Sequence, residues 1–159
     1  MSAHRVWPSV ASGLLLAAGV SEERADFASP PQRLADQALA GPVSAVVEHI
    51  VDGDTVDVRA QIWLGQNLTV RVRIDGVDAP ETRSDCADER RLALAARDYL
   101  ARRLLNKEIR LIRVMYDKFG GRVRAEISDA DGDIARALIA EGLARPYHGE
   151  RRQPWCETG

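Results

Sequence analysis

Residues 55–74 read TVDVRAQIWLGQNLTVRVRI, and the fold turns on how this stretch is paired. Thr55 to Trp63 alternates, with Val56, Val58, Ala60 and Ile62 on one face. Leu68 to Ile74 alternates as well: Leu68, Val70, Val72 and Ile74 share a face, and Thr69, Arg71 and Arg73 take the other. Alternation of this kind marks a strand with one buried side. Leu64-Gly65-Gln66-Asn67 between the two runs is turn material, so the strands are expected to fold back as an antiparallel hairpin.

An acidic cluster stands just outside each end of this hairpin. Asp52-Gly53-Asp54-Thr55 leads into it, and Asp78-Ala79-Pro80-Glu81 follows it. Asp54 and Asp78 are 24 residues apart with the turn midway, so folding the ribbon brings both carboxylates to one end. Arg73, five residues before Asp78, leaves the same ribbon near that end. Carboxylates converging beside an arginine suit a hard divalent cation next to a phosphate, because oxygen ligands hold the cation while the planar fork grips phosphate oxygens. Pro80 forces an extended conformation on Ala79 and so separates Asp78 from Glu81. Each piece alone has an ordinary reading. Asp-Gly-Asp is common in turns, where the side chain bonds its own backbone, and Asp52 is read as shaping its loop. A lone Arg73 is a solvated strand residue. The combined spacing is what points to nucleic-acid hydrolysis.

Farther out, Val43 to Val51 is rich in β-branched residues and reads as a preceding strand. A helix is expected over Ala87 to Leu105, capped by Asp85 or Ser84, with Leu92, Ala96, Tyr99, Leu100 and Leu104 as its apolar stripe. Glu108 to Met115 and Arg122 to Ser128 read as strands around the turn Asp117-Lys118-Phe119-Gly120-Gly121. A short helix, Ile134 to Glu141, is capped by Asp133 and stopped by Gly142, and Leu143 to Gly159 reads as irregular. This order predicts a β-rich α+β domain: a five-stranded barrel of the oligonucleotide-binding type with two or three appended helices.

The 159 residues fit a single core, and 45% apolar with 29% charged residues is ordinary globular composition. The net charge of −2 argues against a sequence-independent binder that grips many phosphates. Aromatic residues for base stacking are few, at 5%. Near the N-terminus Arg5 precedes the apolar run GLLLAAGV at 13–20. That run is too short to span a bilayer and fits a signal-peptide core. Residues 1–42 are therefore read as a signal peptide or leader plus linker, and 43–159 as the compact domain. Export to the periplasm or medium is expected, with membrane anchoring by an uncleaved leader as the alternative. In an exported chain Cys86 and Cys156 can pair, closing a loop of about 70 residues that contributes roughly 4 kcal/mol in the chain-entropy account; two reduced thiols are the alternative. Neither cysteine belongs to a CxxC pair and the three histidines are scattered, which speaks against zinc.

Over about Val43 to Tyr147 the chain resembles the thermonuclease family, the staphylococcal-nuclease-like domains. The resemblance rests on Val51-Asp52-Gly53-Asp54-Thr55, on Val72-Arg73 running into Gly76-Val77-Asp78-Ala79-Pro80-Glu81, on Asp117-Lys118-Phe119-Gly120-Gly121-Arg122, and on Ile139-Ala140-Glu141-Gly142-Leu143-Ala144. It implies calcium-dependent cleavage of DNA and RNA with little sequence preference, leaving 5′-hydroxyl and 3′-phosphate ends. It places the metal carboxylates on Asp54 and Asp78 and the carbonyl ligand on Ala79, where the family often has threonine. The general base falls on Glu81 and the phosphate-binding arginines on Arg73 and Arg122. The partners implied are DNA and RNA as substrates, with a monomer and no stable protein partner. Two features depart from the pattern: an extra glycine, Gly120 or Gly121, lengthens the turn before Arg122, and Phe119 stands where the family often has tyrosine. The alternative is a catalytically silent barrel that binds single-stranded nucleic acid or a protein. Such a domain would be expected to have lost some of Asp54, Asp78, Glu81, Arg73 and Arg122, and all five are present. A calcium-stabilised structural domain would explain the acids but not the arginines.

Overall fold

A computed structural model describes residues 38–156. The leader and its apolar run lie outside the described residues. Among the described residues no helix is long and apolar enough to cross a membrane.

The chain runs β1 (Val43–Asp52), β2 (Thr55–Trp63), β3 (Gln66–Ile74), β4 (Val77–Asp78), α1 (Ala87–Leu104), β5 (Glu108–Tyr116), β6 (Arg122–Asp129), β7 (Gly132–Asp133), α2 (Ile134–Ala140) and β8 (Arg145–Pro146). β1, β2 and β3 form an antiparallel meander, β5 pairs with β1, and β6 with β5. The wall closes where β6 lies parallel to β3, Arg71–Ile74 against Arg122–Ala125. The result is a closed five-stranded mixed barrel with two helices, the α+β oligonucleotide-binding architecture that the element order predicts.

The core fills this barrel with Val47, Val56, Val58, Val72, Ile74, Leu111 and Ile127, all essentially inaccessible. α1 seals one end with Ala93, Ala96, Leu100 and Leu104, and α2 adds Ile134 and Leu138. The small residues of the α1 stripe, Ala93 and Ala96, come first and admit close approach, and the large ones, Leu100 and Leu104, follow. Gly53, in the turn between β1 and β2, sits in that approach. A Cβ placed on it would stand 2.9 Å from the Ala96 Cβ and 3.2 Å from the Ala79 Cβ. The first acidic turn is thus pressed against both α1 and the second acidic segment.

Several local expectations shift. The hairpin is longer than its buried part. Ile62 and Leu68 share the predicted inward face, yet they are about half exposed, and Trp63 and Leu64 more so. The register gives the reason: β1 backs β2 only as far as Ala60, and β6 backs β3 only from Arg71. Residues 61–69 therefore project past the barrel wall. α1 begins after Cys86, which makes no side-chain cap; Ser84 instead bonds Glu89, and neither Ser84 nor Asp85 caps the helix. Asp133 does cap α2, accepting from the Arg136 amide at 2.7 Å. Leu39 and Ala40, inside the stretch read as linker, already exchange backbone hydrogen bonds with Val114 and Arg113 of β5. The tail is not wholly irregular, because β8 pairs with β4, Val77 opposite Pro146 and Asp78 opposite Arg145. Cys86 and Cys156 are joined in a disulfide.

α1 is also tied to the barrel by a bidentate ion pair. Arg103 donates from Nε to Asp129 Oδ2 at 2.7 Å and from Nη2 to Oδ1 at 2.9 Å, with Tyr99 Oη at 2.9 Å from its third nitrogen. The Arg103 hydrogen bonds hold the Asp129 carboxyl below its ordinary value. The pair thus contributes stability above the ordinary Asp value of 3.8, and that contribution is lost as pH falls through and below it. Asp129→Asn is expected to cost roughly 2 kcal/mol at neutral pH, read as a lower urea midpoint at unchanged slope, with the difference from the parent shrinking as pH falls. Gly53→Val is expected to cost about 1–3 kcal/mol by overpacking, checked by the same unfolding curves.

Candidate active site

The two acidic segments meet. Asp54 immediately precedes β2 and Asp78 ends β4, and both carboxylates are buried, each residue 4% exposed. Their proximity has two causes. Gly53 touches Ala79, as described above. Arg73, at the end of β3, bridges the segments: one nitrogen lies 2.6 Å from Asp54 Oδ2, and another donates to the Val77 carbonyl at 3.3 Å. β2–β3 pairing sets this up by placing Thr55 opposite Arg73. Thr55 Oγ1 donates to Asp54 Oδ1 at 2.8 Å, and the Asp54 amide donates to Asp52 Oδ1 at 3.2 Å. Asp52 thus folds the loop by bonding its backbone.

Burial pushes the Asp54 carboxyl up from its ordinary 3.8 to about 7; Arg73 pulls it down and Asp52 pushes it up further. One guanidinium therefore does not fully offset the desolvation of this carboxylate.

On the far side the acids face Arg152. Its guanidinium donates to Asp78 Oδ1 through Nε, to Glu81 Oε1 at 2.6 Å, and to the Ala79 carbonyl at 3.0 Å. Asp78, Ala79 O and Glu81 thus converge on one cationic group. Asp54, Asp78 and the Ala79 carbonyl are the groups that can hold a hard cation. All are oxygen donors, and the shared partner of Asp78 and Ala79 O shows that these two point into the same space. Among the described residues no three His, Cys, Asp or Glu side chains form a ready-made cage, so water would complete the shell of any cation there. Glu81 is 54% exposed at its side chain, open to solvent as a group that exchanges protons with water must be.

Arg122 opens β6 and lines the same cleft as Arg73 and Arg152, a cavity of about 600 Å³ that also includes Arg113, Arg124 and Tyr147. Its side chain is folded back onto the lengthened turn. Nε bonds Asp117 Oδ2, and the guanidinium lies 4.9 Å from the Phe119 ring centre. It makes no hydrogen bond or ion pair with Asp54, Asp78 or Glu81. The structure therefore brings Asp54 and Arg73 against the segment of Asp78, Ala79 and Glu81, and places Arg122 in the adjoining cleft that Arg73 and Arg152 also line.

Sequence reasoning missed Asp117 as the partner of Arg122, and it missed Arg152. A signal for Arg152 was present. Cys156 pairs with Cys86, five residues beyond Glu81, so a residue just before Cys156 must lie near the second acidic cluster.

The description "Staphylococcal nuclease homologue" belongs to the family whose model matches residues 71–157, from Arg71 of β3 to beyond β8. The chain is 32% identical over 90 residues to a probable endonuclease of Schizosaccharomyces pombe, a match covering 52% of this chain and 39% of that protein. It is 33% identical over 123 residues to Staphylococcal nuclease domain-containing protein 1 of Drosophila melanogaster, covering 72% of this chain and 12% of the relative. The chain thus matches well under half the length of either relative. The matched model spans more than half of the chain, and the barrel has the strand order that the resemblance implies: the chain belongs to the staphylococcal nuclease homologue family.

Proposed function

We propose that the chain is a calcium-dependent nuclease that hydrolyses phosphodiester bonds of DNA and RNA with little sequence preference and leaves 5′-hydroxyl and 3′-phosphate ends. The observation that carries this reading is that two buried carboxylates, Asp54 and Asp78, sit on touching segments bridged by Arg73, with the Ala79 carbonyl sharing Arg152 with Asp78, beside a cleft lined by arginines. The match to a probable endonuclease supports the reaction class.

Asp54, Asp78 and the Ala79 carbonyl would hold the cation. When bound it would supply positive charge against the phosphoryl oxygens and lower the cost of forming hydroxide. The remaining work belongs to the chain. Glu81 takes a proton from the attacking water, whose oxygen adds to phosphorus opposite the 5′ oxygen. The bond from phosphorus to the 5′ oxygen breaks, and that oxygen leaves with the electron pair and takes a proton from solvent water, while Glu81 later returns its proton to solvent. Arg73 and Arg122 donate to the equatorial oxygens as their charge grows, which lowers the barrier more than it strengthens ground-state binding. Arg73 is already seated beside Asp54. Arg122 first releases Asp117, and the turn of Gly120 and Gly121 gives its strand end room to shift. The Cys86–Cys156 disulfide supports export, since such bonds persist in oxidising compartments.

The purified chain is expected to cut both plasmid and RNA with calcium and to stop when EGTA is added, with an unchanged circular dichroism spectrum; product ends should be 3′-phosphates, and cutting at full rate in EGTA would overturn the cation assignment. Glu81→Gln and Arg122→Ala are each expected to lower the rate on single-stranded DNA by about 10²–10⁴. A rate near that of the parent would remove that residue from the mechanism.

A further inference from the structure

The strand pair β4–β8 and the disulfide hold the same short segment from two sides. Residues 77–86 carry Asp78, Ala79, Pro80 and Glu81. At one end Val77 and Asp78 pair with Pro146 and Arg145, and the Tyr147 amide donates to the Gly76 carbonyl at 3.0 Å. At the other end Cys86 is bonded to Cys156. Residues 147–155 thus form a strap whose two anchor points flank the second acidic cluster. The strap has its own support near Cys156. Arg145 donates to the Pro154 carbonyl at 3.0 Å, and its guanidinium lies 3.9 Å from the Trp155 ring centre.

From this strap Arg152 reaches Asp78, the Ala79 carbonyl and Glu81 with three nitrogens. Two of these three acceptors are groups that would hold the cation, and the third is the proposed base. A guanidinium and a divalent ion on the same Asp78 and Ala79 oxygens would be like charges in close contact, so occupation by one disfavours the other. Arg152 itself is 42% exposed at its side chain, so it can swing into the adjoining cleft without unpacking any core. The neighbouring Arg151 is exposed and makes none of these contacts.

We propose that Arg152 is a tethered surrogate cation: held in place by the disulfide-anchored strap, it occupies Asp78, Ala79 O and Glu81 in the metal-free protein, and calcium must displace it to bind. This rests on the reading of Asp54, Asp78 and Ala79 as the cation site. A ligand's apparent affinity falls by the fraction of protein whose site is open. A strap that closes the site about nine-tenths of the time therefore weakens calcium binding about tenfold. The arrangement also protects the acids. With Arg152 in place one Glu81 oxygen is held by a guanidinium, which weakens it as a proton acceptor, so Arg152 acts on the cation oxygens and on the base together.

The test is calorimetric titration of calcium into the metal-free protein. The parent chain is compared with Arg152→Gln, Arg151→Gln, and the double variant Cys86→Ser with Cys156→Ser, each checked for a native near-ultraviolet spectrum. Arg152→Gln is expected to tighten calcium binding by about tenfold. The double variant, which frees one end of the strap, should shift in the same direction. Arg151→Gln removes the same charge from the next residue and should stay within about twofold of the parent. Equal affinity for Arg152→Gln and parent overturns the proposal, and so does weaker binding. Equal tightening by Arg151→Gln also overturns it, because the effect would then be one of general charge. The parent's own titration separates the two readings: if the parent and every variant fail to take calcium, the cation assignment falls and this inference with it, whereas calcium binding that is indifferent to Arg152 removes the inference alone.

Discussion

Two carboxylates buried at one end of a barrel set the terms for everything around them. Asp54 and Asp78 are each 4% exposed, and a charge taken out of water is tolerated only beside opposite charge and hydrogen-bond donors. Arg73 therefore has to come from β3 and Arg152 from the C-terminal strap. The close fit of Gly53 against Ala79 and Ala96 follows from the same need, because the segments must touch if one guanidinium is to serve both. The barrel closure of β3 on β6 then brings Arg122 and Arg124 alongside Arg71 and Arg73. The cationic cleft is thus a product of strand register, and the acidic cluster beside it is a product of two turns that the register brings together.

Most of this was legible in the chain itself. The alternation in residues 55–74, the turn at its middle and the acidic clusters at its ends were enough to place Asp54, Asp78, Ala79, Glu81 and Arg73 at one end of a hairpin. The barrel followed from element order. What escaped was long-range or dependent on length. The alternation of Ile62 and Leu68 marks their face correctly, but it carries no information on where the neighbouring strands stop, and these residues extend past the wall. Arg152 lies 71 residues from Glu81 in sequence, in a stretch with no periodicity, so only the cysteine pairing pointed to its position. Asp117 looked like a turn residue, and it is one; its second role as partner of Arg122 depends on a side-chain direction that spacing does not define.

The strap changes how the domain is divided. By secondary structure the chain past α2 is little more than β8 and a tail. By contacts it is part of the site, because it supplies one strand of a two-stranded sheet with β4, a covalent bond at the start of α1, and three hydrogen bonds to the acidic segment. A barrel without these residues would keep its core, since none of the fully buried side chains comes from beyond Leu138, yet it would lose the partner of Asp78.

The arginines of the cleft carry a further consequence. Arg73 pairs with Asp54, Arg113 with Glu126 and Asp75, Arg122 with Asp117, Arg124 with Asp75, and Arg152 with Asp78 and Glu81. Each already has a counterion, and that counterion is covalently attached to the protein. The cleft thus resembles an ion-exchange resin in its loaded form, and a phosphate would enter by trading places with a carboxylate. Such an exchange returns only a fraction of the attraction that five bare guanidinia would exert. The displaced carboxylate stays nearby and competes to return, so a polyanion is held loosely and let go quickly. On the proposed function, a chain of net charge −2 would in this way act on a highly charged polymer without remaining bound to it.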